Sequence, residues 1–178
     1  MRKVAILMKL SVVMICLSSC SLFSGSKDKE AEKIESVKPA IPYEKESIIL
    51  KIRSDPQLNR FQGQPHSLAL CTYQMKDPNA FNQLADERNG LSRLMECERF
   101  DPSVLSSKRI IVHPARQLKE ARDRAEGARY LGIVAGYYPL EKSRALLLYP
   151  LPYPGSRGGS KELVIDLDLG QGQINLVK

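Results

Sequence analysis

The sequence predicts a mainly β fold, a β-sandwich carrying a short helical insertion at about residues 77–106, and three observations carry that reading. Apolar and polar residues alternate in short stretches such as 47–53 and 162–169, and a period of two marks a strand with one buried face. Helical patterning is confined to one region after Asp77-Pro78, and turn residues separate the remaining stretches. Many short strands with few long helices pack as two sheets.

Ahead of the folded part, residues 1–19 read as a lipoprotein signal peptide. Arg2 and Lys3 give a charged start, the apolar run 4–17 is interrupted only by Lys9 and Ser11, and Leu17-Ser18-Ser19-Cys20 places two small residues before a cysteine. A membrane-spanning helix needs about 20 apolar residues, and this run is shorter and contains Lys9. Cleavage makes Cys20 the first mature residue, acylated on its sulfur and on its freed amine, and several chains hold a membrane far more firmly than one. An ordinary secretory signal and an uncleaved anchor are the competing readings; the charged region, apolar region and terminal cysteine all agree with lipidation. Ser21 stands where bacterial lipoproteins retained at the inner membrane usually carry aspartate, so a lipid-anchored position on the periplasmic face of the outer membrane is expected.

Residues 20–42 then read as a flexible tether. Ser24, Gly25, Ser26, the mixed charges of 27–33, Pro39 and Pro42 leave too few apolar side chains to offset the entropy of ordering. Such a chain spans roughly 25 Å; a short helix over 28–37 is the alternative. The whole chain has 27 basic and 20 acidic residues, a net +7. Arg2, Lys3 and Lys9 leave with the signal, and 24 against 20 leaves only +4, too small and scattered an excess to favour nucleic acid.

Residues 43–178 are enough for one domain. The stretch 47–53 sets Ile48, Leu50 and Ile52 against Lys51 and Arg53, giving a first strand. The stretch 67–75 gives a second, with Leu68, Leu70 and Thr72 facing opposite to Ala69, Cys71, Tyr73 and Met75. The connection between them is long, which is uncommon unless it has a task, and it displays Leu58 and Phe61 in hydrophilic surroundings. Asp77-Pro78 opens a helix with the stripe Phe81, Leu84 and Ala85, because Asp accepts from orphan amides and Pro lacks nothing at the first position. Asn89-Gly90 breaks it, Leu91, Leu94 and Met95 form a second helix ending near Cys97, and Asp101-Pro102 repeats the cap signal.

A strand follows over 109–113. Residues 115–127 have helical propensity, yet Leu118 is their only large apolar side chain, so a helix there has little with which to dock. Strands are then expected over 130–138 and 144–151, the latter stopped by Pro150, Pro152 and Pro154. A loop at 156–160 leads to 162–169, where Leu163, Ile165, Leu167 and Leu169 alternate with Val164, Asp166 and Asp168. Gly170-Gln171-Gly172 turns the chain into a last strand with Ile174, Leu176 and Val177.

Catalytic machinery is not legible. His66 and His113 have no partner at ligand spacing, so neither a metal site nor an enzyme is expected, and no cofactor beyond the lipid on Cys20. The segment 156–160 lacks the lysine of a phosphate-binding loop, and Asp166 and Asp168 suit a solvent-facing side of a strand. Cys16 leaves with the signal; Cys71 and Cys97 remain, as a disulfide in an oxidising compartment or as two separately buried thiols.

In order and spacing, several stretches resemble the TssJ (VasD/SciN) family, outer-membrane lipoproteins of type VI secretion systems. They are the signal ending at Cys20, Leu58-Asn59 through Gly63-Gln64-Pro65, Leu70-Cys71-Thr72-Tyr73-Gln74-Met75 with Phe81, Val112-His113-Pro114, and 128–137. The resemblance implies a transthyretin-like β-sandwich with an added helical element, and it makes 117–124 a strand. It implies a scaffold that binds the periplasmic C-terminal region of TssM and fastens the trans-envelope complex to the outer membrane, with TssL reached only through that complex. The implied contact is the loop between the first two strands: Asp55, Gln57, Leu58, Asn59, Arg60, Phe61, Gln62 and Gly63. Leu58 and Phe61 beside polar groups would suit the centre of a small interface, and polar substitution of the pair is expected to weaken capture while leaving the domain folded. The alternatives are a carrier of a small ligand and a purely structural peptidoglycan attachment, whose usual helical pattern is absent.

Overall fold

The computed structural model describes residues 40–153 and 162–177. The signal peptide, Cys20, the tether up to residue 39 and the loop at 156–160 lie outside the described residues.

Strand β1 (Glu44–Ser54) places Ile48, Leu50 and Ile52 inward, as their spacing of two demands. It is the second strand of a four-stranded sheet, bound antiparallel to β4 (Gln117–Arg124) and parallel to β7 (Leu163–Leu169), with β8 (Ile174–Leu176) beyond β7. The second sheet runs β3 (Val104–Val112), β2 (Leu68–Met75), β5 (Tyr130–Ala135), β6 (Leu146–Pro150), all antiparallel. The inner faces interlock through Ile48, Leu50, Ile165 and Leu167 from one sheet and Leu68, Leu70, Leu131 and Ile133 from the other. Gln74 joins the layers by polar contacts: its amide donates to the Asp123 carbonyl at 2.7 Å and its side-chain oxygen accepts the Ala125 amide at 2.8 Å.

The other face of β2 is also buried, because α1 (Asn79–Asp86) and α2 (Gly90–Leu94) lie over it. Cys71, Tyr73 and Met75 pack there against Phe81, Leu84 and Leu94. Tyr73 donates its hydroxyl to the Leu94 carbonyl and stacks at an angle on Phe81 and Phe100, with centroids 5.8 and 5.5 Å away. Gly132 of β5 lets the Phe81 ring approach: a Cβ there would stand 2.8 Å from it. A disulfide joins Cys71 to Cys97, with Cα atoms 5.1 Å apart, and so ties the central strand to the end of the helical layer.

Five sequence expectations need correction. The helical insertion stops at Leu94 instead of about 106. Asp101 caps no helix; its carboxylate accepts the Ser103 amide and its carbonyl accepts the Val104 amide, a turn that feeds β3. The strand expected over 144–151 opens as the helical turn α3 (Lys142–Ala145), because the Glu141 carbonyl accepts the amides of Arg144 and Ala145. The strand expected over 130–138 ends at Ala135, where Gly136 turns to the Ala69 carbonyl. The fold also reaches back into the tether as drawn at 20–42, since Ile41 is buried and its carbonyl accepts the Gly127 amide. Residues 117–124 form a strand despite their helical propensity: edge pairing with β1 satisfies their backbone while Lys119, Ala121 and Asp123 face water.

Candidate functional site

The loop between β1 and β2 is built from the inside outward. Asp55 opens it, its amide bound to the Leu169 carbonyl at 2.9 Å and its carboxylate accepting the Gln57 amide at 2.6 Å. Leu58 is fully buried in the sandwich core, and its carbonyl accepts the His66 amide at 2.9 Å. Asn59, only 8% exposed, adopts a positive φ of 48°; its side-chain oxygen accepts the Tyr138 amide at 3.0 Å and its nitrogen donates to the Ser67 carbonyl at 3.5 Å. Two of the sequence-derived contact residues are therefore fasteners of the loop. The expectation that a polar residue at Leu58 leaves the domain folded is overturned, because that side chain belongs to the core.

What reaches solvent is the tip. Phe61 and Gln64 exchange both backbone hydrogen bonds, at 2.9 and 3.0 Å, around Gln62 (φ 50°) and Gly63 (φ 79°). Two consecutive positive φ values suit a tight two-residue turn, and Gly supplies one of them without a Cβ penalty. The turn holds Phe61, 37% exposed, against Tyr138, 64% exposed, with ring centroids 4.5 Å apart and planes at 72°. His66 stands edge-on to the same Phe61 ring at 6.2 Å. The result is a small, rigid aromatic patch with exposed Arg60 and Gln62 beside it.

Tyr138 was missed in the sequence because 130–138 read as one buried strand; the signal was Tyr138-Pro139, since a residue before proline leaves regular structure readily. Next to the loop lies a cleft of about 530 Å³, lined by Arg53, Asp55, Arg116, Asp168 and Asn175 among others. Arg53 meets Asp168 through two contacts, at 2.8 and 3.2 Å, and that hydrogen-bonded carboxylate raises the guanidinium pKa further. Ser54 locks the far wall, donating to the His113 carbonyl at 2.7 Å while accepting the Arg116 amide at 2.8 Å.

The two histidines stay apart in role. His66 Nδ1 lies 2.9 Å from the Gln64 carbonyl and His113 Nδ1 lies 2.7 Å from the Ser67 hydroxyl. Among the described residues no group of three or more His, Cys, Asp or Glu could hold a metal ion, and no helix is long and apolar enough to cross a membrane. Asp166 and Asp168 do face one way, Asp168 being occupied by Arg53.

Comparison with solved structures finds the same fold in secretion components. One is the T6SS lipoprotein TssJ1 from Pseudomonas aeruginosa, 20% identical, covering 77% of this chain and 95% of that chain, with a TM-score of 0.60. Another is Serratia marcescens Lip, a membrane-bound component of the type VI secretion system, 21% identical over 74% of this chain and 96% of that one, with a TM-score of 0.61. A third is a chain of a structure described as the T6SS protein TssM C-terminal domain from EAEC, 16% identical over 74% and 97%, with a TM-score of 0.55. No curated protein matches the sequence. The model of the type VI secretion lipoproteins, described by the names VasD, EvfM and TssJ, matches residues 46–170. That span runs from β1 through β7, and with it the chain belongs to the type VI secretion lipoprotein family.

Proposed function

We propose that this lipoprotein anchors a type VI secretion membrane complex to the outer membrane, held by acyl chains on Cys20 and gripping the periplasmic C-terminal region of a TssM protein with the β1–β2 loop. The observation that carries the reading is the Phe61–Tyr138 pair, two exposed aromatic rings brought together where the β1–β2 loop, plugged into the core by Leu58 and closed by the Phe61–Gln64 hydrogen bonds, meets the segment after β5. Aromatic and Arg side chains on a preordered surface dominate protein interfaces because they bury much area for little lost entropy. Family membership supports the system, and the solved structures described as TssJ1, Lip and TssM are the context in which this fold is found. On this reading Arg60, Phe61, Gln62 and Tyr138 meet the partner, Leu58 and Asn59 hold them in place, and Asp55, Gln57 and Gly63 shape the turns.

The test is capture of a TssM periplasmic C-terminal region by the full exported chain. Phe61→Ala and Tyr138→Ala are each expected to weaken the complex by about 2 kcal/mol, roughly thirtyfold in Kd, with unchanged thermal unfolding. Undiminished affinity in both folded variants would remove the aromatic patch from the site. Leu58→Ala serves as the contrasting variant: it lowers stability by about 2–5 kcal/mol, as a core deletion does.

A further inference from the structure

The Cys71–Cys97 bridge is asymmetric. Cys71 is fully buried on the helix-facing side of β2, whereas Cys97 is partly exposed at the end of the helical layer, with a positive φ of 58°. Arg109 sits opposite Cys71 in the β2–β3 register, and its Nε donates to Cys97 Sγ at 3.2 Å. The guanidinium is itself fixed, because Nη2 donates to the carbonyls of Met95 and Glu96 at 2.9 and 3.0 Å. A held cation beside one sulfur of a pair stabilises negative charge on that sulfur selectively, and thiolates are the species that exchange.

We propose that Cys97 is the exchange sulfur of this bridge and Arg109 the residue that activates it, so that a dithiol–disulfide oxidoreductase makes or breaks the bridge through a mixed disulfide on Cys97. In the forming direction the Cys97 thiolate attacks one sulfur of the oxidoreductase disulfide. That S–S bond breaks, its second sulfur departs as a thiolate, and Cys97 becomes bonded to the first. Cys71, losing its proton, then attacks Cys97 Sγ and expels the oxidoreductase sulfur. Two thiols of this chain are oxidised and one disulfide of the oxidoreductase is reduced to a dithiol. In reverse, the last step expels Cys97 as a thiolate next to Arg109. The inference is independent of the partner reading, because Arg109 and Cys97 lie on the helical side of the second sheet and contribute nothing to the Phe61–Tyr138 patch.

The experiment uses the reduced full chain with glutathione disulfide as probe, quenched early with acid and mapped by mass spectrometry. The first adduct is expected on Cys97, and in a Cys71→Ser background Arg109→Gln slows its formation about tenfold at neutral pH, the difference vanishing in urea. An early adduct on Cys71 in the native sequence overturns the proposal. So do equal rates with and without Arg109 in folded Cys71→Ser chains. The mapping needs no substitution, so it decides the matter even where a variant folds poorly.

Discussion

Gly132 shows how little room single residues have here. A Cβ at this position would lie 2.8 Å from Phe81 Cε2 and Cζ and 3.0 Å from Met75 Cε. The methionine end can swing away, but the Phe81 ring is flanked by Tyr73 and Phe100, so the helix as a whole would have to lift. Gly132→Ala is therefore expected to cost about 1–3 kcal/mol by overpacking, read from the urea midpoint, and Phe81→Leu in the same chain should recover part of that loss. Leu58 teaches the complementary lesson about legibility. An apolar residue in a polar loop is equally consistent with a display and with a plug, and only the return of the chain, with His66 bound to the Leu58 carbonyl, decides for the plug. Phe61, three residues on, faces water because the Gln62-Gly63 turn reverses the chain just there.

Between elements, two buried tyrosines act as fasteners with a common pH signature. Tyr73 holds the helical layer through the Leu94 carbonyl, and burial pushes its hydroxyl pKa up to about 12. Tyr137 holds the β7–β8 turn through the carbonyls of Gly170 and Gln173, at 3.2 and 2.8 Å, and burial raises its pKa as well. A folded pKa above the ordinary tyrosine value of 10.0 means that the contribution of Tyr73 is whole below pH 10 and is lost as pH climbs toward 12, and that of Tyr137 is lost in the same direction. Stability should accordingly fall across that window, and Tyr73→Phe should flatten the fall in denaturant titrations followed against pH. The strands were legible wherever one face is wet, as in β1 and β7, because alternation records that asymmetry. Both faces of β2 are buried, one by the opposite sheet and one by helices, and its pattern told the two faces apart without showing that each has a cover. The start of β3 was hidden because Asp-Pro opens helices and turns alike.

For the whole molecule, the span that matches the type VI secretion lipoprotein family takes in both sheets but for β8, the long β1–β2 loop and the core between the sheets. The second sheet is backed by helices and the disulfide, while in the first the parallel pairing of β1 with β7 places the latest long strand beside the earliest. That parallel pairing could not be read from local pattern, since β1 and β7 are far apart in sequence and alternation says nothing of direction. The two proposed attachment points rest on different kinds of signal: Cys20 on a short linear motif, the loop on its length and its likeness to a family.

Strand β1 also has a mechanical consequence. Its first residues follow the segment that leads back toward Cys20, and its last residue opens into the loop that carries Phe61. Under the proposed anchoring, tension enters β1 at one end and leaves at the other, over roughly 35 Å. The hydrogen bonds to β4 and β7 run across that direction on both sides, so they are strained together in shear instead of opening one after another. A chain pulled in a force spectrometer from Ile41 and Phe61 should yield at a markedly higher force than one pulled from Phe61 and Val177, where β8 hangs on only three paired residues. The first strand of the domain would then be its tie-rod, carrying pull from membrane to machine while the rest of the sandwich braces it.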